Sequence, residues 1–253
     1  MTTALVTGAS GGIGLEIARV LAGEHDLVLV ARSADRLNDV AAELGGARVL
    51  ALDLADPAAV ARVVDEVPEV DVLVNNAGLG DFAPFAEADP AKLDTVIALN
   101  VAALTRLTRA YLPGMLDRKR GRILNVASTA SFQPGPLMAV YYATKAYVLS
   151  LSEALAEETR GSGVTVTALC PGPTASGFQA GAEMEESRLV RGRTLPTAAS
   201  VAAYGVAAMR KGDVVAVPGV MNKMFATSIR LTPRPLVRRL VHRMQSTSRD
   251  AER

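Results

Sequence analysis

The 253-residue chain reads as a single doubly wound α/β domain, with about seven parallel strands and helices on both faces of the sheet. Three observations predict this class. Short β-branched or leucine-rich runs alternate with longer amphipathic segments. The short runs are apolar on both faces, as strands buried inside a parallel sheet are. The first run turns directly into a glycine-rich stretch, TGASGGIG at residues 7–14, which opens a helical pattern.

The expected strands are residues 4–6, 27–30, 49–52, 70–74, 122–126, 164–169 and 214–217, and the expected helices are 12–22, 33–44, 57–67, 92–116, 137–158 and 197–209. Pro57 and Pro90 each follow an aspartate, which pairs a capping carboxylate with the residue best suited to the first helical position. The domain is expected over 1–221. It includes a segment without firm periodicity, 174–196, that reads as a loop, and a C-terminal extension follows over 222–253.

Composition narrows the function. A hydrophobic content of 49% with 21% charge supplies a large core and argues against disorder, and a net charge of +1 exerts no general pull on nucleic acid. Cys170 is the one cysteine, which excludes an intrachain disulfide; with only His25 and His242 beside it, no metal centre is expected. The opening MTTALVTGASGGIG lacks the cationic start and continuous apolar stretch of a signal peptide, and no run is long enough to span a bilayer. A reduced, soluble, cytoplasmic protein is the expectation.

Ligands of such sheets bind beyond the carboxyl ends of the strands, so the loops there carry the chemistry. Gly8, Gly12 and Gly14 permit positive φ and close backbone approach, and the helix that follows offers unpaired N–H groups to a pyrophosphate. The spacing is not G-x-G-x-x-G, and no lysine follows as in a P-loop. A ligand-free turn is the alternative, against which placement after the first strand argues. The second strand ends in Ala31-Arg32, with no acid for a ribose hydroxyl; a guanidinium there suits a 2′-phosphate and points to NADP(H) rather than NAD(H), unless Arg32 merely solvates a strand end. Ser33 and Arg36 stand close by in sequence. Asp53 could accept from an adenine amino group or cap its own turn. NNAG at 75–78 allows close approach to a ligand, although a turn alone explains the glycine.

Ser128 follows the fifth strand, and Tyr141 lies four residues before Lys145 on one face of the next helix. Tyr142 is three before it, so spacing favours Tyr141 only weakly. A phenol titrates near ~10 and an adjacent ammonium would lower that value, giving a proton donor for a carbonyl; a serine hydroxyl beside it would hold the carbonyl oxygen. Tyrosine and lysine four apart on a helix are, taken alone, common. Cys170 reads as a small buried residue, since no base stands near it in sequence.

Taken together, TGASGGIG, Asp53, NNAG, Asn100, Ser128, Tyr141-x-x-x-Lys145 and Pro171-Gly172 followed by Thr174 closely resemble the short-chain dehydrogenase/reductase family, in order and spacing, over about residues 3–220. The resemblance implies a Rossmann-fold NADP(H)-dependent oxidoreductase that interconverts a carbonyl and a secondary alcohol. By the same resemblance Tyr141 is the general acid and base. Lys145 lowers its pKa and bonds the nicotinamide ribose, Ser128 orients the carbonyl, and Asn100 holds a water in a proton relay. Gly8, Ser10, Gly12, Ile13, Gly14, Arg32, Asp53, Leu54, Asn76, Ala77, Gly78, Pro171, Gly172 and Thr174 line the cofactor. Members preferring NADP(H) often carry a second basic residue where this chain has Gly11, and NAD(H) use stays open on that account. The resemblance also implies a homodimer or homotetramer and a small-molecule partner, with segment 174–196 over the substrate and a lean toward apolar carbonyls. A sensing or scaffold protein on the same fold is the alternative; such descendants tend to lose the tyrosine or lysine kept here.

The extension carries Lys223, Arg230, Arg234, Arg238, Arg239, Arg243, Arg249 and Arg253 against only Asp250 and Glu252, interleaved with Met224, Phe225, Ile229, Leu231, Leu236, Leu240 and Val241. Such a basic amphipathic helix either lies on an anionic membrane or docks on protein. Apolar stripes usually serve packing, so docking is expected, with residues from about Ser246 disordered.

Overall fold

Alternation along each strand sorts the core into two layers. Ala4 and Val6 face one layer with Leu29 and Val74, whereas Leu5 faces the other with Val30 and Leu73. The computed structural model describes residues 2–184, 187, 192 and 194–245. In chain order the elements are β1 (Thr2–Thr7), α1 (Gly12–Leu21), β2 (His25–Ala31), α2 (Ala34–Glu43), β3 (Arg48–Ala51), α3 (Pro57–Glu66), β4 (Val72–Asn75) and α4 (Pro90–Ile97). There follow α5 (Leu104–Asp117), β5 (Gly121–Val126), α6 (Ala139–Glu158), β6 (Val164–Leu169), α7 (Phe178–Gly181), α8 (Ala198–Lys211), β7 (Val215–Ala216), α9 (Val220–Leu231) and α10 (Arg234–Gln245).

All seven strands are parallel in the order β3-β2-β1-β4-β5-β6-β7. The winding reverses between β1 and β4, which opens the crevice where such folds bind ligands. One face is covered by α1, α2 and α8 through Ile17, Leu21, Leu37, Val206 and Met209. The other is covered by α3 and α5 through Val60, Val63, Leu107, Tyr111 and Met115. Each such side chain removed from water contributes about 1.5–3 kcal/mol. The Asp-Pro starts act as expected: Asp56 and Asp89 accept from Ala58 N at 2.8 Å and Ala91 N at 2.9 Å, with the prolines in first position.

Three expectations need correction. The helix expected over 92–116 is α4 and α5 joined by a π-helical segment, Ala98–Ala103, with Asn100 inside it. A π turn inserts a residue and re-aims the side chains around it, and such bulges concentrate at functional sites. The helix expected from 137 starts at Ala139, because Leu137 sits at φ 67°. The tail is two helices, broken at Thr232-Pro233, and the first begins at Val220, ahead of the boundary expected at 221. Residues 185–186, 188–191 and 193 of the expected loop, and the end from Ser246 expected to be disordered, lie outside the described residues.

Candidate active site

The glycine turn is stitched to the loop after β4. Gly8 (φ 66°) and Gly12 (φ 56°) occupy the left-handed region that favours glycine. Gly14 is needed for closeness instead: a Cβ there would stand 2.3 Å from both Gly8 O and Asn76 Nδ2. Asn76 Nδ2 donates to Thr7 O at 2.9 Å and Gly8 O at 3.2 Å. The Thr7 hydroxyl donates to Val74 O and accepts from Asn76 N and Ala77 N. The consecutive asparagines thus do different jobs. Asn75 is buried and donates to Thr108 Oγ1 at 3.0 Å and Asn125 Oδ1 at 2.9 Å, and Asn125 Nδ2 donates to Ser152 Oγ at 3.0 Å. Apart from Asn75 Oδ1, these polar groups pair, because an unpaired one in the core would cost about 1–3 kcal/mol.

The start of α1 is open to an anion. Its N-cap, Gly11, gives no side-chain hydrogen bond, and its first turn holds no acid. Ser10, Gly12 and Ile13 line the adjoining cleft. The N–H groups there suit a phosphate with no competing carboxylate. Arg32 lies exposed at the end of β2 and lines the same cleft with Ser33 and Arg36. Arg36 Nη2 reaches within 3.9 Å of where a Cβ on Gly11 would stand. The second cation absent from the turn itself is therefore brought over it by α2. Asp53 lines the cleft beside Leu54 and also caps its own turn, accepting from Ala55 N at 3.0 Å.

At the other end of the cleft stand Ser128, Tyr141 and Lys145. Ser128 is extended (φ −171°, ψ 163°), and its Oγ accepts from Ala130 N at 3.1 Å. Its hydroxyl makes a long 3.4 Å contact with Pro171 O and lies near enough to the Tyr141 phenol to oppose the effect of burial on it. Lys145 is buried, donates to Val126 O at 2.7 Å, and lies 5.8 Å from the Tyr141 ring centre. The expected lowering of the phenol by the ammonium is not what this arrangement gives. Burial pushes Tyr141 up to about 12, offset only in part by the nearby Ser128 hydroxyl, because Nζ is turned to a carbonyl and not to the phenol oxygen. The same burial brings Lys145 down to about 8 and pushes the Cys170 thiol up to about 12, which makes Cys170 an inert packing residue at neutral pH.

Asn100 and Gly14 do not line the cleft. Asn100 is buried behind it: Nδ2 donates to Leu79 O at 2.9 Å and Thr144 Oγ1 at 3.0 Å, and Oδ1 accepts from Leu79 N at 2.9 Å. Thr144 donates in turn to Tyr141 O at 2.7 Å, and Ser131 Oγ to Lys145 O at 2.7 Å, so both catalytic candidates have braced backbones. Sequence reading missed these braces. The signal available was a polar residue inside an apolar run, as with Asn125 in ILNV, which must find a buried partner.

The remainder of the cleft, roughly 1040 Å³ in all, is walled by Met138, Tyr142, Phe178, Met184, Phe225 and Met244. Tyr141 packs tilted against Phe178 at 5.2 Å and edge-on to Tyr142 at 6.0 Å. Tyr142 is packed and does not pair with Lys145; Gln245 Nε2, at the end of α10, donates to its hydroxyl. The inner side of the tail thus docks through Ile229, Val237 and Val241 onto Ala130, Met138, Tyr142 and Met184. No helix of the described residues is long and apolar enough to cross a membrane, and no group of three or more His, Cys, Asp or Glu among them could hold a metal.

Residues 2–187 match the family model described as short chain dehydrogenase. A very-long-chain 3-oxoacyl-CoA reductase of Phaeosphaeria nodorum is 38% identical over 180 residues, 65% of this chain and 52% of that protein. The ketoacyl reductase HetN of Nostoc is 37% identical over 179 residues, 67% of this chain and 62% of that one. The chain therefore spans only about half to two thirds of these relatives. A short-chain dehydrogenase from Sphingobium yanoikuyae, solved in complex with NADPH, superposes with a TM-score of 0.81 at 31% identity, covering 91% of this chain and 94% of that one.

Proposed function

We infer, for a chain that belongs to the short-chain dehydrogenase family of oxidoreductases, that it reduces an apolar ketone or β-ketoacyl compound with NADPH and runs the reverse oxidation when the ratio of cofactors favours it. The observation that carries this reading is one cleft with an uncapped helix start, Arg32 and Arg36 at one end and Ser128, Tyr141 and Lys145 together at the other. The family relatives acting on ketoacyl groups and the apolar wall of Met138, Phe178, Met184 and Phe225 support the substrate class.

The dinucleotide would be held by Ser10, Gly12 and Ile13 at α1, by Arg32 and Arg36 at the ribose 2′-phosphate, by Asp53 and Leu54 at the adenine, and by Asn76–Gly78 and Pro171–Thr174 farther along. When bound it supplies hydride, which no side chain can. The residues of this chain handle the proton. Ser128 turns its loosely held hydroxyl toward the substrate oxygen. Tyr141, protonated at neutral pH because burial holds it near 12, donates its proton to that oxygen as negative charge develops. The Lys145 ammonium, one helical turn on and bonded to Val126 O, would turn toward the phenolate left behind and stabilise it. Asn100, with one Oδ1 lone pair not engaged by Leu79, would hold the water through which Tyr141 regains a proton. A panel of apolar ketones and their alcohols, followed by nicotinamide absorbance with each cofactor, tests the reading; no turnover across the panel with either cofactor would end it.

Two further results are expected. Arg32→Ala should weaken NADPH by roughly ten- to a hundredfold, the worth of about 1.5–3 kcal/mol for a charge-assisted bond, while NADH changes little; fluorescence titration with both cofactors checks it, and equal losses would remove the 2′-phosphate role. The pH profile of kcat/KM for reduction should hold level through neutrality and fall above about 8, where buried Lys145 loses its proton. Tyr141 stays protonated there, so the break belongs to the lysine. A profile still level well beyond that pH would contradict the role given to the ammonium.

A further inference from the structure

The tail has an outer face that the docked core does not use. In α9 the residues turned inward are Asn222, Phe225, Ala226 and Ile229. Those turned outward are Val220, Met224, Thr227 and Leu231, spaced i, i+4, i+7 and i+11 along one stripe, with Met221 at its flank. Val220 is 73% exposed, Met221 76%, Met224 60% and Leu231 85%. On α10, Leu236 and Leu240 are exposed next to Arg239. Of ten exposed large apolar side chains among the described residues, six fall in 220–245. Scattered exposed apolar groups need no explanation, but a contiguous set marks a contact.

Charge identifies the partner. Residues 220–245 carry Lys223, Arg230, Arg234, Arg238, Arg239 and Arg243 and no acid, which leaves a net −5 on the remainder of a chain totalling +1. A twofold pairing of α9 and α10 with themselves would bring two cationic segments together, neither of which carries an acid, so a second copy is disfavoured. An anionic bilayer satisfies both features: the apolar stripe enters the boundary of headgroups and acyl chains, and the cations meet lipid phosphates. The acidic remainder of the protein is repelled from the same surface, which fixes the orientation. Met221 belongs both to the exposed flank and to the wall of the cleft, beside Asn222 and Phe225.

We propose that α9 and α10 dock this protein peripherally on anionic membrane surfaces, with the mouth of the cleft at the lipid. The docked face holds no catalytic group, so the proposal stands or falls apart from the hydride chemistry. The test is sedimentation of the full chain with vesicles of phosphatidylcholine, with and without phosphatidylglycerol. Pelleting is expected only with the anionic vesicles, and it should weaken as salt rises. A double variant, Met224→Asp with Leu231→Asp, should bind them at least about tenfold less tightly while its NADPH affinity is unchanged. Should that variant fold poorly, Arg238→Gln with Arg239→Gln provides a second route, with a loss of roughly tenfold or more expected from two removed cations. Failure of the unaltered protein to pellet, or equal pelleting with neutral vesicles, overturns the proposal. So does a Met224→Asp, Leu231→Asp protein that still binds vesicles but dissociates in light scattering, since the face would then be a subunit interface.

Discussion

Tyr141→Phe is expected to lower the rate of carbonyl reduction by about 10²- to 10⁴-fold while NADPH affinity stays within about twofold, the range for removing a general acid that contributes little to ground-state binding. The substitution deletes one oxygen. The ring keeps its contacts with Phe178 at 5.2 Å and Tyr142 at 6.0 Å, so the helix and the cleft wall should hold their places. What is lost is the phenol oxygen beside Ser128 and the proton itself. Single-turnover reduction with bound NADPH separates the two effects. Turnover within tenfold of the unaltered protein would remove Tyr141 from the mechanism and leave the cleft with a different proton source.

Gly14→Ala is the second large effect, and it acts through packing. The added methyl would lie 2.3 Å from the Gly8 carbonyl oxygen and 2.3 Å from Asn76 Nδ2, and the first of these is backbone that cannot swing away. The glycine turn must shift off the loop after β4, which breaks the Asn76 bonds to Thr7 and Gly8. Overpacking of this kind costs about 1–3 kcal/mol, here at the upper end, or roughly 6–12 °C in Tm for a chain of this size. NADPH affinity should fall with it, by at least about tenfold, because the N–H groups of α1 move with the turn. Gly11→Ala is the matched control. Its φ of 178° is extended backbone open to any residue, and the nearest group to its new methyl is Arg36 Nη2 at 3.9 Å. A melting curve unchanged in Gly11→Ala but lowered in Gly14→Ala is the expected pair; equal curves would show that the turn tolerates crowding and is not the brace described.

Both predictions concern residues singled out from sequence, but the reasons changed once the chain was folded. Gly14 and Asn76 read as cofactor contacts; in the structure Gly14 lies behind the cleft and Asn76 is first a brace between two loops. Asn100 was singled out from the sequence, but the π turn that carries it was not, because a single inserted residue leaves the apolar period of residues 92–116 nearly intact. The tail was read as amphipathic. Its break at Pro233 is local, yet which half of its apolar residues would be covered could not be read from a sequence apolar on more than one side.

The sequence by itself determined the alternation of strands and helices, the Asp-Pro caps, the glycine turn and the tyrosine one helical turn before its lysine. Each of these depends on residues within a few positions of one another, where periodicity and backbone sterics act. Only the tertiary structure decided that Arg36 would lie over Gly11, that Gln245 would donate to Tyr142 from 103 residues away, and that burial would dominate the Tyr141 phenol. Desolvation and long-range hydrogen bonds depend on what surrounds a group in space, and that is fixed only when the sheet and its covering helices have closed around it.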